Sequence, residues 1–359
     1  MRALRDDAVD LIASVIAPSA AATEHVGVPR ATIDALARAG LLGAGLDRAD
    51  MRELGEVLAG TDATTWFCWT QHQTPMRTLA GDVAGLREGA PEELRSRLLP
   101  GLQAGKLLGA VAFAHVRRPG PANPAATRVA GGWRLDGTLD WVTSWDIADV
   151  VLVMAQGAPP DERALVCCYL PAGASSDAIP GIAVGEPLNL LAMSGTHTRP
   201  VALEGVLVPD AAVGAVLDRA AWLAEDARRT VDASPAAFGV ARGAIAHLSS
   251  LAQRRDDHLL AASADHLAEA CRSVRTRAYA AADADDDPSR RVRLRAESLD
   301  LALRAATAAV TAMAGAAMVR DNPAERRLRE AAFLLVQAQT RVTRTAFLDR
   351  IVPGGAERG

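Results

Sequence analysis

The side chains best suited to chemistry are densest in the stretch GGWRLDGTLDWVTSWDIADVVLVMA, residues 131–155. Trp133, Trp141 and Trp145 stand there beside the hydroxyls of Thr143 and Ser144. An indole face next to aimed hydroxyls is what a flat, polarizable ring needs to be stacked and oriented. The same residues serve equally as strand-core aromatics and turn hydroxyls. Upstream, His72 lies in CWTQHQ and His115 in AFAHVRRPGPANPAATR, where Arg117 and Arg118 precede a Pro-Gly turn. Two such guanidiniums can hold a phosphate through charge-assisted hydrogen bonds, although loop arginines more often only solvate. A lone histidine near a tryptophan is more often a satisfied core group than a catalyst, and His197 in SGTHT reads as a turn residue.

Other chemistries find no support. Cys68, Cys167, Cys168 and Cys271 form neither a disulfide framework nor a CxxC metal site. His258 and His266 are eight residues apart on one face, but only Asp265 and Glu269 are near and no ligand pair is completed, so no metal is expected. No Ser-His-Asp order and no phosphate-cradling glycine loop is present. A net charge of −4 with scattered basic residues argues against nucleic acid. Asp6, Asp7 and Asp10 argue against a signal peptide, and the apolar run 305–319 is shorter than a bilayer needs, so a reduced, cytoplasmic protein without a membrane segment is expected.

The elements that would position these groups change character twice. With 359 residues, two or three units sharing a large core are expected. Residues 1–107 carry helical spacing, as in PRATIDALARAGLLGAG, with Ser, Asp or Pro at helix starts and Gly at stops. Residues 108–215 hold short Val-, Leu- and Trp-rich runs broken by Gly, Pro and Asp, the texture of an antiparallel sheet or barrel, and VAGGWRLDGTLDWV is spaced for a meander with two turns. Residues 216–359 are Ala- and Arg-rich, with long helices expected near Pro235–Arg254, Ala261–Ala282, Pro288–Arg320 and Pro323–Ile351, joined in part by the polar run DADDDPS.

This order, together with the residues quoted, resembles the acyl-CoA dehydrogenase family. The segment 131–155 resembles that family's middle-domain pattern of Gly-aromatic, Asp-Gly, Trp-[Ile/Val]-Thr and Ala-Asp; ATIDALARAGLLG resembles its entry helix, AMSGTHTRPVALEGVLVP the exit from the β domain, and NPAERRLREAAFLLVQAQT the end of the bundle. The resemblance implies an α+β multidomain fold: an N-terminal helical domain, a middle antiparallel β-barrel domain and a C-terminal four-helix bundle. It implies a flavin, usually FAD, between the β domain and the bundle of a homodimer or homotetramer. Phe113, Trp141, Val142, Thr143, Ser144, Arg254 (or Arg255) and Gly315 are the implied flavin contacts. Several family groups are missing: Thr-Glu-Pro and Gly-Ser-Asp give way to His115, Arg117 and Arg118, and the Phe-Gly that accompanies the Arg is absent.

The implied reaction removes a proton alpha to a thioester, free or carrier-bound, while the flavin takes hydride from the beta carbon, so a carboxylate must lie near the reacting carbon. Where most relatives place a Glu, this chain reads Gln337-Ala338-Gln339-Thr340, and where some relatives supply it from the first bundle helix, Arg228 or Arg229 stands instead. Asp232 and Glu225 are the nearest acids. A second reading therefore stays open: a two-component monooxygenase that takes reduced FAD or FMN from a reductase and uses His72, His115 or Ser144 as hydrogen-bonding groups. A third is a catalytically silent subunit acting as a scaffold. An electron-transfer partner belongs to the first reading.

Overall fold

The computed structural model describes residues 6–43, 45–81 and 90–352, so the extreme ends of the first and last expected units lie outside the described residues. Six helices come first: α1 (Asp6–Leu11), α2 (Ala20–Val26), α3 (Arg30–Arg38), α4 (Arg48–Thr61), α5 (Ala63–Ala80) and α6 (Glu92–Gln103). Capping carboxylates set the entry to α4 and α5: Asp47 accepts from the Asp50 amide and Asp62 from the Thr64 amide. Gly81, left-handed at φ 83°, stops α5.

The sheet follows: β1 (Gly109–Ala112), β2 (Ala125–Val129), β3 (Gly132–Val142), β4 (Val150–Gly157), β5 (Ala164–Pro171), β6 (Ile182–Val184), β7 (Arg199–Pro209) and β8 (Val213–Asp218). The path runs β6-β7-β3-β2-β4-β5-β8, with β1 paired to β4 off it. Two features depart from the sequence reading. The β1–β4 and β2–β4 pairs are parallel, so the sheet is mixed. Asp136-Gly137 is not a turn of a meander: β3 runs straight through it, with a register shift against β7 between Leu135 and Gly137. A Cβ at Gly137 would stand 2.3 Å from Asn123 Oδ1, which itself accepts from the Thr138 amide, so the glycine serves a close approach inside the strand.

Six further helices complete the chain: α7 (Arg219–Arg229), α8 (Pro235–Arg255), α9 (His258–Asp283), α10 (Pro288–Met313), α11 (Pro323–Leu334) and α12 (Arg341–Ile351). The last two replace the single helix expected over 323–351. Ala338 is left-handed at φ 50°, and Thr340 opens α12 with a reciprocal cap to Thr343, so helical pairing stops and restarts there. Pro288–Met318 is long and apolar enough to cross a bilayer by composition; here it packs against α8, α9, α11 and α12.

The helical unit is joined to the bundle where α4 crosses α8. A Cβ on Gly60 would fall 2.9 Å from the Gly239 carbonyl oxygen, and one on Gly239 only 2.3 Å from that of Glu56, so small residues let the two backbones touch. Beside this crossing the fully buried Glu56 carboxylate accepts from Arg275 Nε and Tyr279 Oη, each at 2.6 Å, and from Arg242 at 2.9 Å. A buried carboxylate is tolerated only when so compensated. We expect Gly239→Ala to cost about 1–3 kcal/mol in urea unfolding because its neighbour is backbone. Gly315→Ala, whose Cβ meets nothing within 4 Å, should change stability by less than about 0.5 kcal/mol.

Candidate active site

The carboxyl end of β3 builds one wall of the site. Trp133 and Trp145 are buried in the sheet core, whereas Trp141 keeps 50% of its surface exposed, so of the three only Trp141 offers a free face. The chain then turns at Ser144, left-handed at φ 68°, whose amide donates to Thr196 O at 2.8 Å. Thr143, two residues on from Trp141, opens a relay of hydroxyls with a fixed direction. The Met193 carbonyl can only accept, so Thr196 donates to it at 2.6 Å; Thr198, 2.8 Å away, must donate to Thr196, and Thr143, at 3.0 Å, to Thr198. Thr143 therefore spends its proton inward and keeps only an acceptor lone pair. The Ser144 hydroxyl has no oxygen or nitrogen partner and is buried against the Cys68 thiol, which burial pushes up to about 12.

The two candidate histidines are fastened to backbone. His72 accepts from the Gly109 amide at Nδ1 and donates through Nε2 to Leu102 O, both at 3.1 Å, which fixes the neutral tautomer. Burial lowers its pKa to about 4, and a proton on Nδ1 would also face a donor. His115 donates through Nε2 to Met154 O at 2.6 Å, and burial lowers its pKa as well. Both latch β1 and its following turn, and the nitrogens that hold these bonds are not free for another partner. His197 likewise donates to Val28 O at 3.0 Å.

Arg117 and Arg118 are paired rather than solvated. Arg117 grips Asp226 of α7 through Nε and Nη2 at 2.7 and 2.8 Å and lies over the Phe113 ring, which meets Trp222 edge-on. Arg118 pairs with Asp140, next to Trp141. Arg117 thus joins the turn after β1 to α7, and Arg118 joins the same turn to β3.

The groups missed by sequence reasoning start with Arg295. It is 6% exposed and donates to three main-chain carbonyls, Thr230 at 3.0 Å, Asp232 at 3.2 Å and Gln337 at 2.9 Å. Burial, then nearby Arg117, pulls its pKa down to about 10. It thus ties the α7–α8 loop to segment 335–340, where the resemblance implied a carboxylate. Its signal was present: Arg291 and Arg295 fall in register with Ser298, Leu299 and Ala302 on the buried face of α10.

Asp232 faces a cavity of about 880 Å³ between α4, α5 and the α7–α8 and α9–α10 loops. Its Oδ1 accepts from Arg291 at 2.8 Å, and its Oδ2 stands 4.0 Å from Arg48. Gln73 and Met76 of α5 line the same cavity. Glu225 is instead held by Arg228, which keeps its pKa below the ordinary carboxylate value. Arg254 and Gly315 are elsewhere. Arg255 donates to Ala312 O, placing them at the far end of α8 and α10, roughly 25 Å along the helix from Arg295. Among the described residues no group of three or more His, Cys, Asp or Glu could hold a metal.

No family model matches the sequence. The benzylmalonyl-CoA dehydrogenase of Aromatoleum aromaticum is 28% identical over 223 residues, 58% of this chain and 55% of that protein, so the match spans about half of the relative's length. Among solved structures, butyryl-CoA dehydrogenase from Megasphaera elsdenii superposes with a TM-score of 0.76 at 17% identity, covering 98% of this chain and 99% of that one. The fold is that of the acyl-CoA dehydrogenase family. A glutaryl-CoA dehydrogenase from Mycobacterium smegmatis in complex with FADH2 agrees equally, with a TM-score of 0.76, 17% identity and coverage of 99% and 97%. The resemblance to the acyl-CoA dehydrogenase family, and with it the expected fold class, is borne out.

The acyl-CoA dehydrogenase fold raises the question of fit to a flavin. Two features suit the ring half: the open indole of Trp141 and the acceptor lone pair of Thr143 two residues on. The phosphate half finds no anchors at this edge, because Arg117 and Arg118 are held by Asp226 and Asp140.

The His72 latch has a pH signature. Its folded pKa lies below the unfolded value, so the unfolded chain binds more protons between about pH 6.5 and 4 and stability falls as pH drops through that window. The expected loss is on the order of 3 kcal/mol. His72→Gln should flatten this slope in urea titrations at pH 7, 6 and 5; an unchanged slope would mean that another group carries it.

Proposed function

We propose that the chain is a flavin-dependent oxidoreductase that dehydrogenates an acyl thioester. The observation that carries this reading is Trp141, half exposed at the end of β3, with the buried acceptor of Thr143 two residues on. A platform of that kind suits a flat heterocycle. The names of the relatives, butyryl-, glutaryl- and benzylmalonyl-CoA dehydrogenase, supply the reaction class and the thioester. A bound flavin would supply the two-electron acceptor for hydride leaving the beta carbon.

The protein's own share is placement and proton transfer. Trp141 would cover one face of a bound ring and Thr143 would accept from a ring N–H. Asp232 takes the alpha proton, being the cavity acid on the loop that Arg295 ties to Gln337. Arg295 cannot take that role, since a guanidinium holds its proton at any working pH. The engagement of His72 and His115 with main-chain groups weighs against an oxygenating site built on them. The distance of Arg254 and Gly315 from Arg295 supports a homo-oligomer, in which a second copy brings these residues to the phosphate half. Electrons then pass to an electron-transfer partner.

Two measurements test the reading. Trp141→Ala with Thr143→Ala should weaken flavin binding by about tenfold or more in a fluorescence titration; an unchanged titration refutes the ring site. Asp232→Asn should slow anaerobic flavin bleaching by acyl thioester about 10²–10⁴-fold while flavin affinity stays the same. A rate within a few-fold of the parent assigns the proton to another group.

A further inference from the structure

Among the helices that line the Asp232 cavity, α7 buries the least of itself. Of its eleven residues Trp222 alone is buried, whereas α8, which follows it, is buried along its length from Ala236 to Ala252. An element that withdraws so little apolar surface from water opens at a lower free energy than the core beside it. What holds α7 down is a seat on the turn after β1. Phe113 meets the Trp222 ring edge-on at 5.8 Å, and the Val116 carbonyl accepts from Arg219 at 3.1 Å. Arg117 grips Asp226 at two points, with both side chains mostly buried.

The ends of the helix are fixed separately. Asp218 caps the first turn by accepting from the Ala221 amide at 2.9 Å, and Arg295 holds the Thr230 carbonyl just beyond the last turn at 3.0 Å. Such a strap can lift in its middle while its ends stay in place.

The last turn of α7 is also part of the cavity wall. Arg228 and Arg229 line it with side chains 47% and 42% exposed, so they stand on its solvent side. Arg228 reaches Asp285 on the α9–α10 loop at 3.1 Å while it holds Glu225 of its own helix at 3.0 Å. The strap is thus tied to the β domain by one pair and to the bundle by another. Gln73 and Met76 of α5 line the same cavity, and less than a tenth of either is open to water. A ligand that packs on them needs more room than the fastened strap leaves.

We propose that α7 is a gate to this cavity, with Arg117–Asp226 and Arg228–Asp285 as its latches, and that release of the latches lifts the strap and opens the way to the α5 wall. The gate stands whether or not the cavity holds an acyl thioester, so its failure would leave the dehydrogenase reading untouched.

Met76→Cys supplies a reporter, because the four native cysteines are buried. Labelling the full chain carrying this substitution with iodoacetamide, and weighing each cysteine peptide by mass spectrometry, measures how often the α5 wall is reached. Adding Asp226→Asn should speed labelling at position 76 about tenfold or more, the worth of a lost hydrogen bond between charged groups. Adding Asp285→Asn instead, at an exposed pair, should speed it by a smaller factor. In both, deuterium uptake across residues 219–229 should rise and Cys271, buried in the bundle, should label as slowly as before. Rates at position 76 that neither substitution changes overturn the gate. So does a rise matched at Cys271, which signals general unfolding, or a rise without faster uptake in α7. Labelling at position 76 as fast as that of a free thiol before either latch is cut overturns it as well.

Discussion

The geometry of the candidate site depends on one buried cation. Arg295 holds three carbonyl oxygens drawn from two separate stretches of chain, the α7–α8 loop and the segment after α11. No carboxylate in contact neutralises it. Three carbonyl dipoles do that work, and their incompleteness shows in a guanidinium whose pKa sinks to about 10. Removing such a charge leaves three buried acceptors unpaired, each at a cost of about 1–3 kcal/mol. The position of Asp232, the left-handed kink at Ala338 and the split between α11 and α12 all follow from where that guanidinium points.

The same device recurs. Lys106 is the only lysine. Arg326 and Arg327 of α11 reach the last carbonyls of α4, with Arg327 donating to Ala59 and Thr61 at 3.3 and 3.0 Å. These are the acceptors a helix C-terminus leaves open, and a cation there also meets the helix dipole. A planar fork satisfies two or three carbonyls at once, which an ammonium does less well. The arginines thus act as caps and ties between units, which lets elements with few aromatic rings keep compact contacts.

Much of the architecture was legible in the sequence because it is written in local terms. Apolar spacing of three and four marks the helices, Asp and Ser at their starts mark the caps, and the crowding of Val, Leu and Trp marks the sheet. The errors arose where distant groups decide. Asp136-Gly137 reads as a turn in isolation, but Asn123 and Gly205, remote in sequence, hold it as a register shift inside β3. Segment 335–340 reads as helix until Arg295 takes the Gln337 carbonyl. Trp141 stands out in the sequence by its neighbours, whereas its exposure beside two buried tryptophans does not. His72 and His115 carry the residue type of a catalyst, and only the positions of Leu102, Gly109 and Met154 show them to be latches. Arg117 looked available for phosphate because Asp226 lies more than a hundred residues away.

The threonine relay shows how a remote acceptor can govern what a surface presents. The Met193 carbonyl has no proton to give, and that single fact propagates through Thr196 and Thr198 to Thr143. A ring that reached Thr143 would therefore meet an acceptor and not a donor at that point. Turning a carbonyl edge toward Thr143 sets two lone pairs against each other in a buried setting, whereas an N–H completes the chain of bonds. The difference, about 1–3 kcal/mol for an unmet buried group, is enough to choose one orientation of a planar ligand over its flipped alternative. Stacking alone does not make that choice, because an indole face is nearly indifferent to which edge of the ring points inward.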